Sequence, residues 1–473
     1  MTYGVLTIVL GVVIFLATKL VPAKPKESAQ TEKTDPNSAD KHEQIQKKGE
    51  TPEKLAQWVL KTEKAKTELK EKLCQAPIPN DSKILFGRDK VLIELFNAIH
   101  KGSTFIALYG RSGVGKTALA LEVVRKYKYN FQNIKLYLDF SGEKENALST
   151  RDAMVQIILS FRPTMRIPEN ITQLKKLYRL VMTRHQGVLV LDNVASANQV
   201  KELKPAASSS WLLIVTARKK LDLNAAYCVE VEPLDVESAQ EFLIHCSLRL
   251  KPRAREIAKL CRCLPLVLEM CGQFLSSKMK VHPEDFVDLF RKYRSNSFLE
   301  KVDDDEESLL AAFKAIYNSL KDKEQVVFSQ LAVFPASFDA AASSQVCEEN
   351  GNCLKSLTQF GLVKINLVTK RYILHDWVRN QLKNYLPEAI AREAKLRHAT
   401  YYLPVLNAAR EDILKGGQKA SEGFQLFHRE WANIQAGLNR VSKNSVEGKK
   451  AAELFNSYMI AGAELLPLRY FPK

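Results

Sequence analysis

Short apolar runs and helical periods alternate through the middle of this 473-residue chain. Four runs, bounded by polar residues, have the length and composition of buried strands: 104–109, 135–139, 188–191 and 211–216. Segments in which apolar residues recur at helical spacing separate them. Strands that alternate with helices predict an α/β domain with a parallel sheet, which we place at residues 81–225.

The pattern changes after this domain. Residues 226–300 show helical periods alone, which predicts a helical domain. Residues 301–388 show helices followed by two short apolar runs around a turn, at 362–367 and 371–374. Helices followed by such a hairpin are typical of a small winged-helix domain. Residues 389–473 return to helical periodicity.

The first residues of the chain differ from the rest. From Thr2 to Thr18 no residue is charged, and lysines follow at once. We therefore expect residues 1–22 to be a transmembrane anchor, with the rest of the chain in the cytoplasm by the positive-inside rule. A secretory signal peptide is the alternative, because Val21-Pro-Ala23 resembles a cleavage site. Residues 23–80 are predicted to be a polar linker and an amphipathic helix that packs on the body of the protein or on a second copy.

Composition narrows the class of protein only slightly. A hydrophobic content of 46% is sufficient for folded cores, and the formal net charge of +17 favours acidic partners without choosing among nucleic acid, anionic lipid and protein. The eight cysteines form no C-x-x-C pair. No histidine lies near Cys261, Cys263 and Cys271, so we predict thiols in a reducing compartment and not a metal centre.

Residues 110–117 form the most informative motif of the chain. They have the sequence G-R-S-G-V-G-K-T, which matches the phosphate-binding pattern G-x-x-x-x-G-K-[ST] between a predicted strand and a predicted helix. Glycines in that setting let backbone N–H groups converge on phosphate oxygens at a helix N-terminus. In such loops the lysine neutralises the β- and γ-phosphates and the final hydroxyl holds Mg²⁺. The residues predicted to bind nucleotide here are Gly110, Arg111, Ser112, Gly113, Val114, Gly115, Lys116, Thr117 and Ala118.

A second nucleotide signature is the segment Val188-Leu-Val-Leu-Asp192-Asn193. Asp192 ends a predicted buried strand at the sheet edge, where a hard oxygen ligand suits Mg²⁺. Asn193 stands where many ATPases carry an acid, and because an amide cannot accept the proton of water we predict slow ATP hydrolysis. Arg218 ends the next strand and is placed to reach the γ-phosphate. The predicted catalytic group is Lys116, Asp192, Asn193 and Arg218, with Thr117 and Asp192 on the metal.

A series of motifs in a fixed order resembles the NB-ARC nucleotide-binding module, which belongs to the STAND class of P-loop NTPases. The local sequence is most similar to bacterial members that carry tetratricopeptide repeats, and the resemblance covers roughly residues 80–440. The motifs are Phe86-Gly-Arg-Asp89, the loop at 110–117, Leu191-Asp-Asn193, Thr216-Ala-Arg218, Cys263-Leu-Pro-Leu266 and Leu374-His-Asp376.

The resemblance implies an ADP/ATP-binding switch in signal transduction, in defence or cell death. ADP would hold a resting state, and ATP would drive opening and self-association. Phe86, Gly87 and Arg88 would line the adenine pocket, Pro265 would stack near the adenine or ribose, and His375 would contact the β-phosphate of ADP.

Some positions depart from the pattern of this family. Cys263 stands where the family usually has glycine, which puts the close approach of the backbone to the nucleotide in question. Leu374 stands where methionine is frequent, a harmless exchange by volume. Segments 397–403 and 430–436 resemble the lead-in to tetratricopeptide repeats. The repeats themselves would lie beyond residue 473, so we expect either a fragment or a chain that lost its sensor.

Other functions remain as alternatives. A transcriptional regulator could use the winged helix to bind DNA, but no separate DNA-binding domain precedes the nucleotide module, and nucleic acid is not favoured. A processive motor of the AAA+ type is disfavoured by Asn193. The sequence does not identify the ligand or protein that triggers the switch.

Overall fold

The computed structural model describes residues 84–126, 134–140, 148–162, 165, 167–206, 211–295, 304–442, 448–463 and 465. All of them belong to one unit of the chain, Thr67–Lys473.

The predicted membrane localisation is contradicted. Across the part of the chain that the structure describes, no helix combines the length and the apolar character required to cross a bilayer. The anchor predicted at residues 1–22 lies outside the described residues, and so do the polar linker and the amphipathic helix predicted before residue 81.

The first half of the described chain forms a five-stranded parallel sheet in the order β2-β3-β4-β1-β5. The predicted parallel α/β domain is therefore confirmed, and the four predicted strands are all present. The fifth strand, β5, pairs with β1 at the edge of the sheet and was not predicted. The elements are α1 (Asp89–His100), β1 (Phe105–Tyr109), α2 (Lys116–Lys126), β2 (Lys135–Asp139), α3 (Thr150–Phe161), α4 (Ile171–Thr183), β3 (Gly187–Val194), α5 (Ala197–Leu203), β4 (Trp211–Ala217) and β5 (Tyr227–Glu230).

Alternate residues of the central strands enter two separate cores. Phe105 and Ala107 of β1 pack into a core with α3, α4 and α5. Ile106 and Leu108 point to the other face, where α1 and α2 lie, and this second core continues into the helices that follow the sheet. Period-2 alternation in a sheet covered on both faces gives this division. One face of the sheet and the later helical region therefore share a continuous core.

A helical region follows the sheet and contains one short antiparallel hairpin, β6–β7. Helix α6 packs on α7, and α8 packs on α6, α10 and α13. The elements are α6 (Val236–Cys246), α7 (Ala254–Leu260), α8 (Pro265–Ser277), α9 (Pro283–Ser295), α10 (Asp304–Asn318), α11 (Asp322–Gln330), α12 (Ala340–Cys347), α13 (Asn352–Gln359), β6 (Lys364–Asn366), β7 (Arg371–Ile373) and α14 (Asp376–Leu382).

The chain then forms the helices α15 (Glu388–Lys415), α16 (Gly417–Ser442) and α17 (Gly448–Gly462). Helices α15 and α16 contain 28 and 26 residues and pack along each other. A whole tetratricopeptide repeat, with both of its helices, has about 34 residues. The segment predicted to start such repeats therefore forms a helix pair that is too long to be one repeat.

Candidate functional site

The loop at residues 110–117 connects β1 to α2 and depends on glycines in the left-handed region. The φ angles of Gly110, Gly113 and Gly115 are 148°, 79° and 93°, values that glycine adopts without the steric cost of a side chain. A Cβ atom on Gly110 would also lie 2.5 Å from the carbonyl oxygen of Val231. The backbone therefore requires glycine here for two reasons, its torsion angles and its close packing on the chain after β5.

Arg88 stabilises this loop through hydrogen bonds to backbone carbonyl groups. Its guanidinium donates hydrogen bonds of 2.8 Å to the carbonyl oxygens of Val114 and Glu232, and the residue is buried. Burial lowers the pKa of Arg88, and the carboxylates of Asp235 and Glu232 oppose that effect. Arg88 thus ties the phosphate loop to the chain segment that follows β5.

Lys116 lies at the start of α2 and points back into the loop. Its Nζ donates to the carbonyl oxygens of Gly110 and Arg111, at 2.8 and 2.6 Å. Burial lowers the pKa of Lys116 to about 8; nearby Asp192 raises it and Arg218 lowers it. Backbone oxygens therefore position the ammonium group, which loses its proton more easily than the ammonium group of an exposed lysine.

Asp192 is buried at the end of β3 and is surrounded by hydroxyl groups. Its carboxylate accepts hydrogen bonds from Thr117 (2.8 Å), Thr216 (2.5 Å) and Tyr137 (2.7 Å). Burial raises the pKa of Asp192, while these hydroxyls and Lys116 stabilise its charged form. A buried carboxylate beside the Thr117 hydroxyl is a donor set of hard oxygens, which fits Mg²⁺. When bound, Mg²⁺ would neutralise phosphate charge between these two side chains.

Asn193 adopts a left-handed conformation, with φ of 56°, which asparagine tolerates better than most residues. Its backbone N–H donates to Thr216 Oγ1 at 2.9 Å. Its side-chain amide donates to Asp139 Oδ1 at 3.0 Å. The amide is therefore oriented by a carboxylate of the neighbouring strand β2, and it supplies no proton acceptor of carboxylate strength.

The start of α8 contacts the phosphate loop directly. The backbone N–H of Leu266 donates to the carbonyl oxygen of Gly113 at 3.1 Å, and the ring of Pro265 lies next to Gly115. Cys263, where glycine is usual in the resembling family, has φ of 53° and accepts a hydrogen bond from the N–H of Leu234. Its backbone therefore keeps the glycine-like conformation, and Cys263 does not line the cavity described below.

His375 lies between β7 and α14 and caps that helix. Its Nδ1 accepts a hydrogen bond of 3.2 Å from the N–H of Trp377. Burial lowers the pKa of His375 to about 4, and the positive charge of Lys364 acts in the same direction. The imidazole is neutral at pH 7, and with Nδ1 accepting, its proton is on Nε2. His375 can therefore offer one neutral N–H donor.

One cavity of about 460 Å³ unites these groups. It is lined by residues of the phosphate loop, the strand ends, the start of α8 and the β7–α14 junction. The volume lies in the range of small-molecule sites. The predicted site residues on its wall are Ser112, Gly113, Gly115, Lys116, Thr117, Ala118, Asp192, Asn193, Arg218, Pro265 and His375.

Other predicted residues lie elsewhere. Three loop residues are not on the cavity wall: Gly110, Arg111 and Val114. The wall also lacks the three residues of the earlier motif, Phe86, Gly87 and Arg88. The ring of Phe86 packs edge-on against Phe242 of α6, with centroids 5.3 Å apart. Apolar packing on the helical region thus occupies the ring that was expected beside the adenine.

The sequence analysis gave no role to several polar residues of the cavity wall, among them Tyr137, Asp139, Glu269, Lys364 and Asp376. Tyr137 lies in a strand that was predicted, but nothing in the alternation of β2 indicates that its hydroxyl reaches Asp192. Asp376 was part of a quoted motif and was given no role. Glu269 and Lys364 lie in no motif, and only the packing of β6 against α8 brings them together.

The parallel sheet, the glycine loop at its edge and the buried Asp192 define a P-loop nucleotide-binding domain. Residues 88–247 match the family model of the NB-ARC domain. This stretch of the chain therefore carries an NB-ARC domain, as the motif order predicted.

Similar proteins occur in a bacterium and in a plant. The chain is 24% identical over 288 residues to Regulatory protein AfsR of Streptomyces coelicolor, which covers 58% of this chain and 28% of that protein. It is 25% identical over 259 residues to a protein of Arabidopsis thaliana that bears the name of a disease resistance protein, covering 49% and 22%. The chain thus spans less than a third of the length of these curated relatives.

A solved structure shares the fold over most of the chain. It is a Signal Transduction ATPase with Numerous Domains (STAND) protein with a tetratricopeptide repeat sensor from Pyrococcus horikoshii. The TM-score is 0.50 at 17% sequence identity, and the match covers 81% of this chain and 58% of that one. This likeness extends beyond the sheet into the helical region that follows it.

Proposed function

We propose that this chain is a nucleotide-gated molecular switch of signal transduction, closed with ADP and opened by ATP. The observation that carries the proposal is the shared cavity. Lys116, Thr117 and Asp192 of the sheet domain line it together with Pro265 of α8 and His375 of the later region. A nucleotide held by all of them would tie the later region to the sheet only while the protein is closed.

The proposed energetics follow from differential affinity. A ligand that moves a two-state equilibrium from 1:99 to 99:1 must prefer one state by about 5.5 kcal/mol. In the closed state ADP would gain the Nε2–H of His375, and in the open state ATP would gain Arg218 and Mg²⁺ on its γ-phosphate. Hydrogen bonds to charged groups contribute about 1.5–3 kcal/mol each, so two or three such differences are of the required size.

We assign the helices α10–α13 with the β6–β7 hairpin to a winged-helix domain within this switch. Self-association of the open form, through this region and the preceding helices, is part of the proposal. The tip of the hairpin carries Leu367 and Val368, which are 71% and 75% exposed. Such an apolar tip suits contact with protein better than contact with the phosphates of DNA, so nucleic acid is not proposed as a partner.

The test is to identify the nucleotide that remains on the protein through purification, and to measure particle mass in ADP and in ATP. The proposal expects tightly bound ADP in a monomer and a larger particle with ATP. Lys116→Ala should remove the bound nucleotide, while Lys90→Ala, an exposed lysine on α1, should retain it. An empty monomer that turns over ATP faster than about 1 s⁻¹, the low end of ordinary enzymes, would refute the switch.

A further inference from the structure

The cavity wall contains an ion pair between helix α8 and strand β6. Lys364, the first residue of β6, donates from Nζ to Glu269 Oε2 of α8 at 3.1 Å. Both residues line the cavity. The side chain of Glu269 is 13% exposed and that of Lys364 is 31% exposed. Within the described part of the chain, the Lys364 ammonium thus has one hydrogen-bond partner, and the side chain is accessible from the cavity.

Lys364 is also next to His375. Its positive charge is one of the causes that lower the pKa of that histidine. Among the described cavity-lining residues beyond residue 300, Lys364 is the only lysine or arginine. His375 is neutral and offers one N–H donor, so it brings no charge to this wall. Any cationic contact from this side of the cavity has to come from Lys364.

We propose that Lys364 is a second phosphate-binding lysine, and that it exchanges its contact with Glu269 for the terminal phosphate of a bound nucleoside diphosphate. This inference rests on the proposed function. A diphosphate carries more negative charge than a single carboxylate, so its electrostatic attraction to the ammonium group is the stronger one. The lysine stem has four rotatable bonds, so its ammonium can change partner without movement of β6.

The exchange gives Glu269 a defined role. It neutralises Lys364 when no phosphate is present and competes with phosphate for the same ammonium group. Removing the charge of Glu269 frees the lysine, so it should favour the nucleotide. A purely structural ion pair between α8 and β6 predicts the opposite, because loss of either partner would then weaken the closed arrangement equally.

The experiment compares ADP and AMP affinities, measured by calorimetry on the full chain after removal of bound nucleotide. Lys364→Met should lower ADP affinity by about tenfold to a hundredfold, the range for a hydrogen bond to a charged group, with AMP affinity little changed. Lys364→Arg should retain ADP affinity to within about threefold. Glu269→Gln should leave ADP affinity equal or higher.

A matched control tests the structural alternative. Lys278 of the α8 C-terminus lies 3.7 Å from Glu324 of α11 and is partly buried, and it is not on the cavity wall. Lys278→Met removes a similar ion pair between the same two regions and should not change ADP affinity.

Equal losses in the Lys364, Glu269 and Lys278 variants, or no loss in Lys364→Met, would overturn the inference. Thermal unfolding of each variant separates such losses from misfolding, and Lys364→Arg and Glu269→Gln keep the test valid if Lys364→Met does not fold. If Lys116→Ala still binds ADP, the proposed function fails first. If Lys116→Ala abolishes binding while Lys364→Met does not weaken it, only the role of Lys364 fails.

Discussion

Replacing Arg371 by methionine should strongly destabilise the later region, because it would leave a buried carboxylate without its main partner. Arg371 begins β7, and its guanidinium forms two hydrogen bonds with Glu430 of α16, at 2.6 and 2.8 Å. The side chains are 10% and 5% exposed. Arg371 also donates to the hydroxyl and the carbonyl oxygen of Ser337, at 3.0 and 2.6 Å.

The expected magnitude follows from this burial. Removing one partner of a buried ion pair costs about 3–5 kcal/mol, because the remaining charge stays desolvated. Arg429 and Asn433 still contact Glu430, which favours the lower end of that range. For a cooperative unit of about 150 residues, 1 kcal/mol changes Tm by about 2 to 4 °C. We therefore expect the transition of this region to fall by about 6 to 12 °C.

Differential scanning calorimetry of three variants measures the effect. Arg392→Met is the matched control, since Arg392 and Glu388 form a pair on α15 that is 57% and 93% exposed, and such pairs contribute about 0–1 kcal/mol. The double variant Arg371→Met with Glu430→Leu should recover at least about half of the loss, because no charge remains buried. A fall below about 2 °C for Arg371→Met, equal to the control, would refute the reasoning.

Three further predictions concern the cavity. ADP affinity should fall by up to about tenfold per pH unit above about pH 8, because burial lowers the pKa of Lys116 to about 8 and ADP binding must then be accompanied by uptake of a proton. Calorimetry in buffers of different ionisation enthalpy would detect that proton, and an ADP affinity that stays constant up to pH 9.5 would contradict the prediction. Burial lowers the pKa of His375 in the folded protein to about 4, from an ordinary value of 6.5, so the folded state binds fewer protons than the unfolded state. The free energy of unfolding should therefore decrease as pH falls from 6.5 towards 4, by up to about 1.4 kcal/mol per pH unit. Thermal unfolding of His375→Asn should lack this contribution to the pH dependence. Asn193→Asp should raise ATP hydrolysis by less than about tenfold, because the new carboxylate cannot donate to Asp139, which now accepts the amide N–H at 3.0 Å, and like charges repel it from that position. A phosphate-release assay that finds a hundredfold increase would show that the amide alone limits the rate.

The sheet half of the fold follows from local rules. A buried parallel strand produces a continuous apolar run, which is why β1, β3 and β4 could be located from the sequence. The missed strand β5 has four residues, and only Val229 among them is buried, so no apolar run marks it. The phosphate loop was equally visible, because its backbone torsion angles require glycine and because Gly110 also packs closely on Val231.

The other wall of the cavity could be predicted only in part. His375 and Pro265 were found through the order of motifs, and the structure brings both to the cavity. Phe86 was expected there by the same argument, yet its ring packs on Phe242. A motif fixes where the backbone runs, whereas the side on which a ring is buried depends on helices far away in the sequence.

The β6–β7 hairpin shows why the rest of the fold could not be predicted from the sequence. Its two strands are three residues long, and their side chains serve different neighbours. Lys364 of β6 meets Glu269 at the cavity, whereas Arg371 of β7 meets Glu430 of α16. Each ion pair joins residues 95 or 59 positions apart, so no local period or motif could reveal it. Because only Leu374 separates His375 from β7, the strand that is anchored to α16 by Arg371 also constrains the position of the imidazole in the cavity. One continuous five-residue segment, 371–375, therefore contacts both α16 and the cavity. A displacement of the backbone at one end of this segment would be transmitted through four peptide bonds to the other end.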